Sequence, residues 1–389
     1  MNQAVMKSCL VFLLITSIFL SACNEPVHSQ TLGEYLQDLF ITNEIILNED
    51  DFLEPVKEPY LAYAKMLNLV PSSYQSDERI TEKTAEQISE QFLAVKDKLL
   101  LDGLYGKIDM HEHYRTGGDI DLFLEAAGCF GISKVVFVPT ASGPDNKGYE
   151  AYWESLIKKA KEKYPDQVIP FCTIDEADPR AAELVEQYIL EGAKGLKLMG
   201  GHPEFYDEPL NSENMYKVYQ VVAKYKIPVL LHGSIINIPE LKDQLDQVYS
   251  DFPEVTFIHA HYASTIMSGI DLELCAELLD KHPNLYIDLS MGGGIARYHK
   301  YLKQDLAKIK DFVLKYQDRI LFGSDIILRP ATNDFDFLYE RIRCDIDLHE
   351  KEEYTCEFGE SDWVHQGFNL DKEVLRKLYY ENPKKVLGF

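Results

Sequence analysis

Two His-x-His pairs stand out in this chain, His111/His113 and His259/His261. With eleven histidines in 389 residues, random placement would give about 0.3 such pairs, so two is a modest excess. Their position says more. Each pair lies toward the end of a short apolar run, as do His232 in Pro228–Gly233 and Asp325 in Ile320–Asp325. Gathering His111, His113, His232, His261 and Asp325 at one rim is costly unless something satisfies them together. One divalent metal ion would do so. Neutral imidazoles with one carboxylate suit zinc first, and also manganese or iron.

The elements that would position these residues begin at residue 107. Eight runs rich in branched residues alternate with amphipathic helical stretches: Lys107–His113, Ile132–Thr140, Val168–Asp175, Ala193–Gly200, Pro228–Gly233, Val255–Tyr262, Leu285–Ser290 and Ile320–Asp325. Such alternation signals parallel βαβ units. Eight units over roughly 250 residues predict an α/β fold of the (β/α)8 TIM-barrel type. No Gly-x-Gly-x-x-Gly turn follows any run, which weakens a dinucleotide-binding alternative. Strict alternation puts Asp109, His111 and His113 on one face of the first run, with Ile108 and Met110 on the other. By the same rule His259 and His261 share a face, as do Asp288 and Ser290. Thr173, Asp175 and Lys197 continue the polar inner face. In barrel enzymes the C-terminal strand ends carry the active site. Residues 101–389 are expected to form the barrel, with an insertion at about 326–370 and a closing helix over Lys372–Val386. Residues 24–100 read as a tether followed by an N-terminal helical extension.

Here the sequence resembles the amidohydrolase superfamily. Asp109-Met110-His111-Glu112-His113 resembles its first-strand signature, and Ile227–His232 its fifth-strand ligand segment. Phe257-Ile258-His259-Ala260-His261 resembles the sixth-strand segment, and Leu321-Phe322-Gly323-Ser324-Asp325 the eighth. The tail from Asn382 to Gly388 is similar to the family's closing Asn-x-x-x-x-Leu-Gly. The branch most similar includes aminocarboxymuconate-semialdehyde decarboxylase. The resemblance implies that His111, His113, His232 and Asp325 hold the metal and that His261 acts beside it on the substrate. His259, one position deeper, is expected to support or pack. Many relatives carry a carboxylated lysine bridging two metals. The branch resembled here usually lacks it, so one metal is expected, with Lys197 pairing with a carboxylate or the substrate. Arg115, Arg297 and Arg329 follow strands one, seven and eight. Each either grips a substrate carboxylate or is a solvated loop charge. The leading expectation is a hydrolase of a small ester, lactone or amide, with Asp325 as base and His261 as acid or oxyanion partner. The alternative is metal-dependent, non-oxidative decarboxylation of a small carboxylic acid. A non-catalytic binding protein is disfavoured by the complete ligand set.

The start of the chain reads as an address. Lys7, an apolar run from Cys9 to Leu20, and Ser21-Ala22 form a secretory signal. Leu20-Ser21-Ala22-Cys23 resembles the bacterial lipobox, which implies cleavage before Cys23 and its lipidation. The expected location is the bacterial cell envelope, and Asn24 favours the outer membrane over the inner. The formal charge of −25 becomes −26 without Lys7. Such acidity excludes nucleic acid as a partner and leaves a lipid anchor as the sole membrane attachment. The partner expected is a small-molecule substrate; the oligomeric state is not fixed by sequence. Of the seven cysteines, Cys172 and Cys275 sit in core-like patterns, whereas Cys344 and Cys356 share the acidic insertion and suit a disulfide.

Overall fold

The apolar runs form strands in the computed structural model, which describes residues 31–43, 45–47, 59–67, 69–70, 75–77, 82–101, 105–140, 149–263, 270–291, 295–358 and 364–389. The signal segment and Cys23 lie outside these residues. Among the described residues no helix is long and apolar enough to cross a membrane.

The chain divides into two compact units near residue 107, with residues 125–132 grouped with the first. In the first, helices Leu32–Thr42, Pro59–Met66 and Glu82–Leu101 form the expected extension. The first of them opens on a capping box, with Thr31 and Glu34 satisfying each other's backbone N–H groups. Leu32, Leu36 and Phe40 recur at helical spacing and bury against Ile88 and Phe92. Phe40 and Phe92 pack with ring centroids 4.7 Å apart.

The second unit is the barrel. Its strands are β1 (Lys107–Tyr114), β2 (Ile132–Pro139), β3 (Val168–Thr173), β4 (Gly195–Gly201), β5 (Val229–Gly233), β6 (Phe257–His259), β7 (Leu285–Asp288), β8 (Ile320–Leu321) and β9 (Ile327–Leu328). They form one sheet in the order β8-β7-β6-β5-β4-β3-β2-β1-β9. The two edges, β8 and β9, are halves of a single chain segment, and this closes the sheet. β8 pairs with β7, while β9 pairs with β1, His113 opposite Ile327. Between the halves, Met110 N donates to Phe322 O and His113 N to Ile326 O, both at 3.0 Å. Closure leaves no open sheet edge. Ile108, Met110, Phe171, Leu230, Ile258, Tyr286 and Leu321 join one buried apolar cluster inside. The helical tail is tied to the eighth strand, because Asn382 Nδ2 donates to Gln317 O and Ile320 O at 2.8 and 2.9 Å.

Several strands end before their apolar patterns do. β3 stops at Thr173, β6 at His259 and β8 at Leu321, against expected ends at Asp175, Tyr262 and Asp325. At the last two the cause is polar. The backbone N–H groups of His261 and Ser324 bind the side chains of Asp288 and Asp109 rather than a neighbouring strand. The ladder gives way where buried carboxylates offer better acceptors.

Helix Phe335–Glu350 and the antiparallel hairpin β10 (Glu353–Thr355) and β11 (Val364–Gln366) follow β9. Asp334 caps the helix through Phe337 N at 2.8 Å. A Cys344–Cys356 disulfide, Cα atoms 5.4 Å apart, joins the helix to the segment just after β10. Cys172 and Cys275 are buried free thiols. Closing a loop of this length stabilises by about 3 kcal/mol on the chain-entropy model. A Cys344→Ser/Cys356→Ser variant is therefore expected to lose about 2–3 kcal/mol in urea unfolding. An unchanged midpoint with unchanged slope would mean the bond contributes nothing.

Candidate metal centre

β1 supplies the first two candidate ligands. His111 and His113 face each other with their Nε2 atoms 3.2 Å apart. His111 Nδ1 donates to Asp288 Oδ2 at 2.9 Å, which leaves the Nε2 lone pair of the neutral ring aimed at the barrel axis. Strict alternation fails here. Ile108 and Met110 belong to the interior cluster, not to an outer face, so successive residues Met110 and His111 both serve the interior. This seam carries the irregularity: three steps along β1, Met110 to His113, match four along the closing segment, Phe322 to Ile326. Asp109 and Glu112 turn instead to Ser324.

The sixth and eighth strands deliver their residues by turns. His261 has φ 57° and Asp325 φ 51°, left-handed backbone that non-glycine residues rarely adopt. Each costs of order 1 kcal/mol and persists because surrounding bonds over-determine it. His261 N donates to Asp288 Oδ1 at 3.2 Å, and its Nδ1 donates to Ser290 O at 2.9 Å. His259 points the other way. Its Nε2 donates to Gly233 O at 2.9 Å and its Nδ1 accepts from Tyr249 Oη at 3.2 Å. The supporting role expected of His259 holds, but the shared face with His261 does not. Gly233 is required there, since a Cβ would fall 2.3 Å from His259 Nε2.

Asp325 completes the cluster. Its Oδ1 lies 3.1 Å from His113 Nε2 and 3.6 Å from His111 Nε2, and its Oδ2 lies 3.7 Å from His261 Nε2. His232, at the end of β5, presents a buried Nε2 with no hydrogen-bond partner. Its ring centroid is 5.0 Å from that of His261 and 4.8 Å from that of His202. His113 Nδ1 is also buried without a partner.

Burial sets the protonation states. It pushes His111 down to about 4, with Lys197 adding to the effect. His113 and His232 are lowered for the same first reason. Burial alone would raise Asp325, but His111, His261 and His113 around it hold the carboxyl well below its ordinary value. Neutral imidazoles beside an ionised carboxylate are the donor set a divalent cation needs. The orphaned His232 Nε2 is a further candidate donor, outside the two groups of atoms that come within 4.8 Å of one another. The residues therefore fit a divalent metal ion. Lys197 is fully buried, and its Nζ stands 3.0 Å from His111 Nε2. Burial lowers it to about 8. A cation would take over that lone pair, leaving Lys197 to Asp325 and Asp288, the two carboxylates that act on it.

The nitrogen and oxygen atoms of His111, His113 and Asp325 lie within 4.8 Å of one another, as do those of His111, His261 and Asp288. Lys197 thus sits among the ligands rather than on the rim. Arg115 follows β1 half-buried, its N donating to Leu328 O at 3.0 Å. Arg329 is exposed before the short turn Pro330–Thr332. Arg297 lies in helix Ile295–Lys315, with its side chain outside the description. Asp288 and Ser290 were placed on an inner face by alternation but given no role; they fix His111 and His261. Glu112 gave no signal, because alternation set it opposite the histidines. His202, beyond the strand pattern, was also missed.

Comparison with known proteins agrees with the barrel fold. No curated protein matches the sequence significantly. An uncharacterized TIM-barrel protein from Bordetella bronchiseptica superposes with a TM-score of 0.51 at 18% identity, covering 72% of this chain and 98% of that one. A probable 2-pyrone-4,6-dicarboxylic acid hydrolase from Acinetobacter baumannii, with citric acid bound, gives 0.50 at 16% identity, covering 73% and 100%. A 2,6-dihydroxybenzoate decarboxylase from Rhizobium gives 0.47 at 13% identity, covering 73% and 98%. At these identities the first two likenesses are of fold alone, the TIM barrel. The family model described as Amidohydrolase matches residues 108–389, from β1 to the last residue, and the chain belongs to the amidohydrolase family.

Proposed function

We propose that this amidohydrolase-family enzyme hydrolyses a small carbonyl substrate, an ester, lactone or amide, with one divalent metal ion, zinc first among the candidates. The observation that carries the reading is a single ionised carboxylate, Asp325, set between the ring nitrogens of His113 and His261. His111, His113, His232 and Asp325 would hold a divalent cation, which would supply Lewis acidity toward a carbonyl and lower the pKa of bound water.

The remaining chemistry belongs to the side chains. Asp325 accepts the proton of the attacking water. His261 commits Nδ1–H to Ser290 O, so its Nε2 holds a lone pair in the neutral ring and a proton only in the imidazolium. Asp325 Oδ2, 3.7 Å away, can pass its proton to that nitrogen, and His261 then protonates the leaving group. Asp288 receives both His111 Nδ1–H and His261 N–H, which keeps donor and acceptor aligned through the cycle. Arg115, Arg297 and Arg329 are the cations proposed to hold a substrate's anionic groups, with Lys197 paired to Asp325 and Asp288. Lipidation of Cys23 would hold the enzyme at the envelope.

Two outcomes test the reading. His111→Ala and His232→Ala are expected to be metal-poor and inactive. Asp325→Asn should keep much of its metal and lose at least about 100-fold in turnover, the scale of general-base catalysis. The assay is a panel of esters, lactones, amides and aromatic acids, with and without chelator, recording acid and carbon dioxide separately. Chelator-sensitive carbon dioxide without hydrolysis would replace the hydrolase with a decarboxylase. Full metal occupancy in His232→Ala would remove the site. For the anchor, Cys23→Ala should abolish lipid labelling and release the protein from membranes; persistent membrane partitioning after signal removal would contradict the lipobox.

A further inference from the structure

Asp325 carries its role on a backbone conformation that costs energy, so something must hold it. The three consecutive N–H groups around it all donate to β1. Ser324 N donates to Asp109 Oδ1 at 3.2 Å, Asp325 N to His111 O at 2.7 Å, and Ile326 N to Glu112 Oε1 at 3.2 Å. Ser324 Oγ stands between the two acids, 2.5 Å from Asp109 Oδ2 and in contact with Glu112 Oε1. From the other side, Arg341 donates to Ser324 O at 3.3 Å. Asp109, Glu112 and Ser324 are all fully buried.

We propose that Glu112 and Asp109, through Ser324, are positioning residues that clamp Asp325 in its ligand geometry. β1 then works on both faces: His111 and His113 offer nitrogens to the centre, while Asp109 and Glu112 grip the segment that brings the carboxylate to meet them. Two buried carboxyl groups on one hydroxyl are expensive to keep, and an apolar pair would pack the same volume more cheaply. They do what an apolar pair cannot, accepting the N–H groups that a left-handed turn turns away from the sheet. This inference rests on the metal reading above.

Cobalt(II) is the probe, because its visible spectrum reports ligand number and geometry without turnover. The wild-type full-length protein, loaded with cobalt, is compared with Asp325→Ala, Glu112→Ala, Glu112→Gln and the double variant Glu112→Ala/Asp325→Ala. Glu112→Ala is expected to shift the spectrum toward that of Asp325→Ala and to weaken cobalt binding about 10- to 100-fold in chelator competition. Glu112→Gln keeps an oxygen acceptor and should recover most of both. The double variant should bind no more weakly than Asp325→Ala, because the clamp acts only through that carboxylate. A Glu112→Ala protein with wild-type spectrum and affinity, or a double variant with additive losses, overturns the proposal. If Glu112→Ala does not fold, Ser324→Ala, which deletes one hydroxyl, decides by the same spectrum. Cobalt binding that survives His232→Ala unchanged would instead sink the metal site itself.

Discussion

Asp288 has no access to solvent, and its carboxylate must find every partner inside the barrel. It finds them in His111 Nδ1, His261 N, and the backbone and hydroxyl of Ser290. These partners come from β1, the turn after β6 and the residues after β7, so one buried charge fixes three strand ends relative to each other. An isolated carboxylate here would be neutralised or expelled. Satisfied as it is, it fixes the tautomer of His111 and the backbone of His261, whose own tautomer is set by Ser290 O, and both rings present Nε2 to the same space. The arrangement of the centre follows from that requirement.

A second consequence is that the barrel's mouth is not made of strand. Strand geometry sends successive side chains to opposite faces, and a ring of eight regular strands would bring one polar layer inward per two residues. Here the chain leaves the ladder at His261 and Asp325, and both residues take left-handed backbone. The departures place an imidazole and a carboxylate within 3.7 Å of each other. The energy of about 1 kcal/mol at each turn is offset by hydrogen bonds to the carboxyl groups of Asp288, Asp109 and Glu112.

Much of this was legible in the sequence. Branched apolar runs at regular spacing marked all eight strands, and the polar residues at their ends marked the rim. The candidate ligands His111, His113, His232 and Asp325 were proposed from those positions and from the family resemblance, and the structure gathers His111, His113 and Asp325. The Cys344–Cys356 pair followed from spacing within one insertion. Alternation, however, is a local rule. It assigned Met110 outward and His259 inward because it assumes an unbroken strand, and the sheet-closing seam and the turn at Ala260 break it. Glu112 was invisible for the same reason: its partners, the backbone N–H of Ile326 and the hydroxyl of Ser324, lie more than two hundred residues later. A contact made by main chain leaves no trace in side-chain pattern.

The central claim is that these strand ends converge on one divalent cation. Diffraction at the zinc absorption edge, from crystals of the full mature chain grown with zinc, tests it most directly. The account predicts one anomalous peak inside the barrel mouth, about 2.0–2.2 Å from nitrogens of His111, His113 and His232 and an oxygen of Asp325, with Lys197 turned away from His111. A zinc-saturated crystal with no peak at these atoms, and Lys197 still hydrogen-bonded to His111, would contradict it.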